Sequence, residues 1–381
     1  MSPKRILAAA FLLNACIFFS ATTETLGMNG YCAGCHTMHN SQDNLPMRFD
    51  SGTTPLANLL RGDCYGCHAQ GGGVSLYPIG VDRIPQVYHS GPSNIDLAGG
   101  NFGYIDNTAG TGASDTKGHN ISDLTGPDGT LYGPPGGIVQ GSHNDGGNVN
   151  TTNLKCAGTN GCHGNRYFSM VDPNYEGVTG AHHDNVSGQV DPTGGDMEPG
   201  HGYRFLVGAK GYEDTDWQFT KSAIDHNEYF GLGTPASLGC SGALNCHGAG
   251  GIRPPNGTIS EFCATCHGNF HTLATSTSSG VGSIAASPFI RHPSDYSLPA
   301  AGEYASYTVY KTESPIARLA VLAASNSTVT PGNDAVMCLS CHVAHGSDYD
   351  DMLKWDYATM TVGAGGAAAG TGCFACHSGK D

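Results

Sequence analysis

The chain has 381 residues, and its 17 Lys and Arg are outnumbered by 32 Asp and Glu, which gives a formal net charge of −15. A surface of this sign does not attract nucleic acid or anionic membranes, so the composition argues against both as partners. Only 13% of the residues are charged and 57 are glycine. Such a chain has few segments from which to build an aliphatic core, and it needs disulfides, metals or cofactors to hold a fold.

The first 23 residues are predicted to be a signal peptide, with a cleavage site between residues 21 and 27. Lys4 and Arg5 precede an apolar run from Ile6 to Phe19, which is too short for a typical membrane span. No second stretch of the sequence is apolar enough over a sufficient length to cross a bilayer. We therefore expect a single exported unit over residues 24–381, located outside the cell, on its surface or in the periplasm.

Fourteen of the fifteen cysteines form seven pairs, and each pair is followed directly by a histidine. Five pairs have the spacing CxxCH, the attachment signature of a c-type haem. The two thiols reach the two vinyl groups on one edge of the porphyrin, and the next residue places an imidazole beneath the iron. A zinc site can also contain one such motif, but five copies favour haem. The five sites are Cys32, Cys35 and His36; Cys64, Cys67 and His68; Cys263, Cys266 and His267; Cys338, Cys341 and His342; and Cys373, Cys376 and His377.

Two further pairs have the longer spacing C-x5-C-H. They are Cys156 and Cys162 with His163, and Cys240 and Cys246 with His247. The three extra residues can bulge out while the thiols keep their positions, so we predict that both pairs bind haem. The alternative is two small disulfides, which an oxidising compartment permits. The chain is therefore expected to carry seven haem c groups, or five if these pairs are disulfides.

Eleven histidines lie outside the seven motifs, enough to give every iron a second axial histidine. The candidates for these distal positions are His39, His89, His119, His182, His226, His271, His292 and His345. His182 and His226 are chosen for the additional haem from a set that also contains His143, His183 and His201. Irons with two histidines have no open coordination site, so we expect electron transfer and no catalytic residue.

His39 follows His36 by three residues, and this spacing excludes both from binding one iron. Residues three or four apart on a helix point the same way, whereas axial ligands lie on opposite faces of a haem. His39 must therefore bind a different haem, and so must His271 after His267 and His345 after His342. Each such segment links two irons, which brings haems close enough for electrons to hop between them.

The expected fold class is mostly irregular and loop-rich, with short α-helices and low strand content. Helices are expected only around the haem motifs and near Ser314 to Ser325, SPIARLAVLAAS. Stacked haems are expected to build much of the core, because their apolar faces can replace aliphatic packing.

Eight segments of the chain resemble, in order, segments of a known family. They are YCAGCHTMHN, CYGCH, KGHNI, GYRFLVGAKGY, EFCATCHGNFH, RHPSDY, CLSCHVAHGSDYDDM and CFACHSGKD. The family is that of the OmcS-type outer-surface multihaem cytochromes of metal-respiring bacteria, which polymerise into conductive filaments. The resemblance implies one continuous chain of His/His haems, and it implies that His39 binds the haem at Cys338 and Cys341 of the next subunit. The C-x5-C-H pairs depart from the family pattern, which has six haems with standard spacing.

The resemblance thus implies an extracellular electron conduit built from identical subunits joined head to tail. Its redox partners would be other cytochromes, metal oxides, electrodes or partner cells. One alternative is a monomeric electron carrier in the periplasm or on the cell surface. Another is a multihaem reductase of nitrite, hydroxylamine or sulfur compounds. Such enzymes need an open iron site and often have Lys in place of the motif histidine, but the chain contains no CxxCK.

Overall fold

A computed structural model describes residues 30–56, 59–70, 72–128, 134–135, 154–158, 161–164, 202–235, 254, 256–271, 292–363 and 370–380. The predicted signal peptide lies outside these residues. So do Cys240, Cys246 and His247 of the second C-x5-C-H pair, and the distal candidate His182 with the alternatives His143, His183 and His201. No helix in the described ranges is long and apolar enough to cross a membrane.

Loops make up most of the described chain, and its regular elements are short. The α-helices are α1 (Cys32–Cys35), α2 (Cys64–His68) and α3 (Ile259–Ala264). Single turns of 3-10 helix cover Ser93–Ile95, Phe102–Tyr104, Asp115–Lys117, Tyr203–Phe205, Gly268–Phe270, Gly302–Ser306, Cys338–Ser340, Asp350–Met352, Tyr357–Thr359 and Gly372–Ala375. The prediction of a loop-rich fold with short helices and low strand content is confirmed.

Two small antiparallel hairpins lie in the N-terminal part of the chain. Strand β1 (Ser41–Gln42) pairs with β2 (Leu45–Pro46), and β3 (Leu76–Ile79) pairs with β4 (Asp82–Pro85). The turn between β3 and β4 has only two residues, and Gly80 takes a φ of +62° there. A positive φ is readily adopted by glycine, which explains how so tight a turn closes.

A third sheet joins segments from the second half of the chain. Its strands are β5 (Gly211–Tyr212), β6 (Glu228–Phe230), β7 (Tyr296–Ser297), β8 (Ala317–Arg318) and β9 (Ala335–Val336). Their spatial order is β5-β6-β8-β9-β7, with β6 and β8 parallel and the other pairs antiparallel. The sheet thus connects loops that carry different haem motifs.

Residues 314–325 differ from the sequence-based expectation. The prediction of a helix there is wrong, because the segment contributes strand β8 instead. The Arg318 side chain is buried and bonds to the carboxylates of Glu228 and Asp334. These tertiary partners override the helix propensity of the Ala and Leu residues around them.

The apolar core of the described residues is divided into four clusters, and each one includes or contacts a cysteine of a haem motif. The largest surrounds Tyr203, Tyr229 and Phe262 and packs against Cys162. The other three contain or contact Cys376; Cys35 and Cys67; and Cys156. A bound porphyrin would therefore extend these clusters, each of which is small by itself.

Candidate haem sites

The standard motifs share one local geometry. The backbone N–H of the histidine donates to the carbonyl oxygen of the first cysteine, four residues earlier. The N···O distances are 2.8 Å for His36 to Cys32, 3.0 Å for His267 to Cys263, 3.1 Å for His342 to Cys338 and 3.0 Å for His377 to Cys373. Positions i, i+3 and i+4 of such a turn share a face. Both thiols and the imidazole are therefore presented to one side, as covalent haem attachment requires.

The C-x5-C-H site at Cys156 keeps this bond in spite of its three additional residues. The backbone N–H groups of His163 and Cys162 both donate to the carbonyl oxygen of Cys156, at 2.9 Å and 3.1 Å. Within the insertion, the backbone N–H of Gly161 donates to the carbonyl oxygen of Gly158 at 2.9 Å. A Cβ at Gly161 would lie 2.5 Å from the Ala157 backbone, so the bulge needs glycine there. The longer spacing therefore preserves the placement of the histidine relative to the first cysteine.

Attachment sites that are distant in sequence come together in space. Thiols of different motifs lie close enough to shift each other's pKa in three pairs: Cys35 with Cys67, Cys64 with Cys156, and Cys263 with Cys338. Two further pairs of cysteines lie close enough for the charge of one thiolate to raise the pKa of the other thiol. Burial, and then Cys373, raises the pKa of Cys341 to about 12, and Cys162 is among the groups that raise the pKa of Cys263. The six described sites thus form a row that follows the order of the chain.

Six of the candidate iron ligands use one ring nitrogen for a backbone bond. The Nδ1–H donates to a carbonyl oxygen in each of these pairs: His68 to Pro85 at 2.8 Å, His119 to Ala344 at 2.7 Å, His163 to Arg204 at 2.9 Å, His267 to Pro135 at 2.7 Å, His292 to Pro293 at 2.9 Å and His342 to Asp351 at 2.7 Å. A carbonyl oxygen only accepts, so the hydrogen resides on Nδ1. The Nε2 lone pair is then available to a metal.

These imidazoles are also neutral, as a metal ligand must be. Burial lowers the pKa of His68, His119, His163, His292 and His342. Burial, together with the charge of neighbouring histidines, lowers the pKa of His267 to about 4 and that of His345 to about 3. The site therefore holds its histidines in the metal-binding form at neutral pH.

Three pairs of imidazoles are separated by a distance that fits one iron between them. The ring centroids of His163 and His345 are 6.1 Å apart, those of His119 and His267 are 6.0 Å apart, and those of His292 and His377 are 6.2 Å apart. A histidine nitrogen lies about 2.0–2.1 Å from a first-row metal such as zinc, and the ring centroid lies ~1.1 Å further, so two imidazoles on opposite sides of one metal have centroids ~6.3 Å apart. Each pair joins a motif histidine to a distal candidate from another segment. The residues present therefore fit a six-coordinate haem iron.

His226 is placed differently from these ligand candidates. It is fully buried, its Nδ1 lies 3.0 Å from the carbonyl oxygen of Ser222, and its Nε2 lies 3.0 Å from Oε1 of Glu228. Its ring stacks on Tyr310 with centroids 3.6 Å apart. Both nitrogens face acceptor oxygens of the protein, and neither is left for an iron.

His271 and His89 each have one buried ring nitrogen that makes no hydrogen bond. Nε2 of His271 bonds to Oδ2 of Asp295 at 2.8 Å, and its Nδ1 is buried without a hydrogen-bond partner. Nδ1 of His89 accepts the backbone N–H of Gly91 at 3.2 Å, and its buried Nε2 lies 3.3 Å from Oδ1 of Asp96. Among the described residues, neither ring faces a motif histidine in the way that the three pairs do.

His39 and His342 both lack a partner of this kind within the described part of the chain. His39 is exposed, and none of the described residues bonds to its imidazole. The same N-terminal segment exposes several apolar side chains, with Tyr31 79%, Met38 73% and Leu45 67% exposed. His342 donates its Nδ1–H to a carbonyl oxygen but faces no second imidazole among the described residues. Neither imidazole therefore belongs to one of the three facing pairs.

Glu303 is a site residue that the sequence analysis missed. Its Oε1 lies 3.1 Å from Nδ1 of His377, although the two residues are 74 positions apart. Nothing in the spacing of Glu303 relative to the CxxCH motif predicts this contact. It arises because the 3-10 helix Gly302–Ser306 packs against the C-terminal segment.

Comparisons with known proteins show which proteins this chain is similar to. Residues 330–381 match the family model described as a doubled CXXCH motif. The chain is 27% identical over 418 residues to the C-type cytochrome OmcS of Geobacter sulfurreducens, covering 96% of this chain and 88% of that protein. The chain resembles the OmcS-type cytochromes. The motifs and this similarity support haem c as its cofactor.

Two solved structures of OmcS from the same organism are also similar to this chain. One is an outer membrane cytochrome S filament, with 21% identity and a TM-score of 0.43 over 86% of this chain and 84% of that chain. The other is a structure of OmcS nanowires, with 23% identity and a TM-score of 0.44 over 86% of this chain and 83% of that chain.

Proposed function

We propose that this protein is an extracellular multihaem c-type cytochrome that conducts electrons along a row of closely spaced haems. It is exported by the signal peptide at residues 1–23, carries seven haem c groups and is an electron-transfer protein rather than an enzyme. The observation that carries the proposal is the set of three imidazole pairs spaced for one iron each, at attachment sites that follow one another in space. The similarity to a C-type cytochrome along 96% of the chain supports it.

The three facing pairs give three axial assignments. His345 is the distal ligand for the haem at Cys156 and Cys162, whose proximal ligand is His163. His119 serves the haem attached beside His267, and His292 serves the haem attached beside His377. Each distal ligand comes from a segment far away in sequence, so every iron ties two parts of the chain together.

When bound, haem c supplies a one-electron Fe(III)/Fe(II) couple. The polypeptide provides the rest of the function. The paired imidazoles would hold the iron from both sides and would so exclude a substrate from the metal. The backbone carbonyl groups that accept the Nδ1–H bonds fix each ring in its orientation. The spatial row of sites then offers electrons a path with short steps.

His226 is assigned a structural role in this proposal, because both of its nitrogens are occupied by protein acceptors. The additional haem at Cys240, Cys246 and His247 then takes its distal ligand elsewhere, and His182 remains the candidate. His89 and His271 remain candidate distal ligands for the irons that the three facing pairs do not assign.

The subunits are proposed to join head to tail into a filament, with His39 of one subunit binding the iron held by His342 of the next. Three features support this. His39 is exposed without a partner in the described ranges, His342 faces no second imidazole there, and the segment that contains His39 exposes several apolar side chains. A contact between two different surfaces that does not close into a ring generates an open filament. Coordination across the contact would stiffen it.

Electron microscopy of the purified secreted protein tests the proposal. Ordered filaments are expected for the unmodified chain, whereas His39→Ala should give dispersed subunits that still carry every haem. His119→Ala is the matched control, because it removes a ligand inside the subunit and should leave filaments intact. Compact monomers of the unmodified protein at every concentration would favour the soluble carrier instead. A high-spin haem in the unmodified protein would favour the reductase.

A further inference from the structure

The motif histidines differ in the group that accepts their Nδ1–H. For His68, His163, His267 and His342 the acceptor is a neutral backbone carbonyl oxygen. For His377 it is the side-chain carboxylate of Glu303, at 3.1 Å. The imidazole of His377 therefore lies beside a negative charge, whereas the four other imidazoles named here lie beside peptide dipoles.

Several contacts hold this carboxylate in place. The Ser378 hydroxyl donates to the backbone carbonyl of Glu303, and the Tyr304 ring packs edge-on against His377 with centroids 5.1 Å apart. Lys380 Nζ lies 3.3 Å from the same Oε1 that His377 contacts, and the Glu303 side chain is only 19% exposed. The Glu303 carboxylate thus accepts from the imidazole N–H of His377 and lies beside the cationic Lys380, and both contacts favour its charged form.

A carboxylate acceptor changes what the histidine offers to a metal. The charge-assisted bond draws the Nδ1 hydrogen toward the carboxylate and makes Nε2 a stronger electron donor. A stronger axial donor with a negative charge behind it favours Fe(III) over Fe(II), and this lowers the reduction potential. A neutral carbonyl acceptor acts in the same direction but with less force.

We propose that Glu303 is a positioning residue that lowers the reduction potential of the haem iron held by His377 and His292. The inference rests on the proposed function, because it takes His377 as an axial ligand. A lowered potential at this site would give electron flow along the row of sites a preferred direction. The site at Cys373 and Cys376 is the last described one, and a lowered potential there favours the passage of electrons from this end toward the neighbouring site.

The decisive experiment is Glu303→Gln in the complete, haem-loaded protein. The amide oxygen can still accept the Nδ1–H, so the geometry survives while the charge is lost. We expect the reduction equilibrium constant of one haem to rise about tenfold, which corresponds to about +59 mV for a one-electron couple. Potentiometric titration followed by optical and electron paramagnetic resonance spectra measures this shift, and one set of low-spin g-values should change with it.

Glu313→Gln is the matched control, because Glu313 is an exposed carboxylate in the following segment and is not hydrogen-bonded to a candidate ligand. It should leave the potentials nearly unchanged. Lys380→Gln should shift the potential in the opposite direction, and it changes only a side chain that is half exposed. Removal of this cation should lower the potential of the same haem.

The outcomes separate this inference from the proposed function. Equal shifts in the Glu303 and Glu313 variants, or no shift in Glu303→Gln, would overturn the inference, because Glu303 would then be an ordinary surface charge. Mass spectrometry of the tryptic peptide containing Cys373 and Cys376 reports the haem independently. A peptide without haem would instead contradict the proposed function at this site.

Discussion

The two ring nitrogens of each histidine decide whether its side chain can bind an iron. His119 and His292 donate Nδ1–H to a carbonyl oxygen and keep Nε2 available. The ring centroid of each lies 6.0 or 6.2 Å from that of a motif histidine, which leaves room for one metal ion between the two rings. His226 has the same chemistry but a carboxylate at Nε2 and an aromatic ring on its face. The residue type alone does not separate these cases, and the neighbours do.

Replacement of His345 by alanine tests the axial assignment at the residue scale. The iron of the Cys156 site should lose its sixth ligand, because His345 faces His163 with centroids 6.1 Å apart. We expect one haem to become high-spin while the number of covalently bound haems stays the same. Electron paramagnetic resonance counts the high-spin irons, and intact-protein mass spectrometry counts the haems. A spectrum that stays entirely low-spin would refute the assignment.

His226→Gln is the companion variant, and its expected result is the reverse. All haems should stay low-spin, whereas the free energy of unfolding should fall by about 1–3 kcal/mol, because the buried Glu228 loses one of its partners. Denaturant unfolding of the holoprotein measures the loss. If one haem became high-spin in this variant, His226 would be a ligand after all.

At the scale of single elements, helix α3 shows how a haem motif is held by local and tertiary bonds together. Thr258 forms a capping box with Glu261 at the start of the helix, and both residues are fully buried. The Thr258 hydroxyl also donates to Oδ2 of Asp295 at 2.5 Å, and the same oxygen contacts His271. The first turn of the helix that carries Cys263 is therefore tied to the segment following His292.

Thr258→Ala should lower the stability of the holoprotein by about 1–2 kcal/mol, because the helix loses its N-cap and Asp295 loses a donor. Thr258→Ser keeps the hydroxyl and should recover most of this loss. The midpoint of denaturant unfolding measures both. Equal stability of the alanine variant and the unmodified chain would show that the cap contributes little beside the haems.

Across the whole molecule, the described apolar core consists of four small clusters, each of which includes or contacts an attachment cysteine. Clusters of this size do not offset the conformational entropy of so many loop residues. The proposed axial pairs join segments that none of the described strands connects, such as those of His163 and His345. Covalent attachment and paired ligation would supply the missing constraints.

A chain produced without covalently attached haem is therefore expected to remain largely unfolded. Binding free energy becomes folding free energy when a site does not exist in the unfolded chain. Circular dichroism should show little fixed tertiary structure, and limited proteolysis should cut throughout the chain, whereas the holoprotein should resist cleavage. A protease-resistant core in the haem-free chain would contradict this expectation.

The sequence by itself determined the positions of the Cys-His motifs and the loop-rich character of the fold. A CxxCH motif acts within one helical turn, so its spacing already specifies the placement of two thiols and one imidazole, and the bulge at Cys156 follows the same local rule. Only the tertiary structure decided which imidazoles face each other, that Glu303 supports His377, and that residues 317–318 form a strand. These outcomes depend on contacts between segments that are distant in sequence. Loops without a repeating pattern carry no local signal for such contacts.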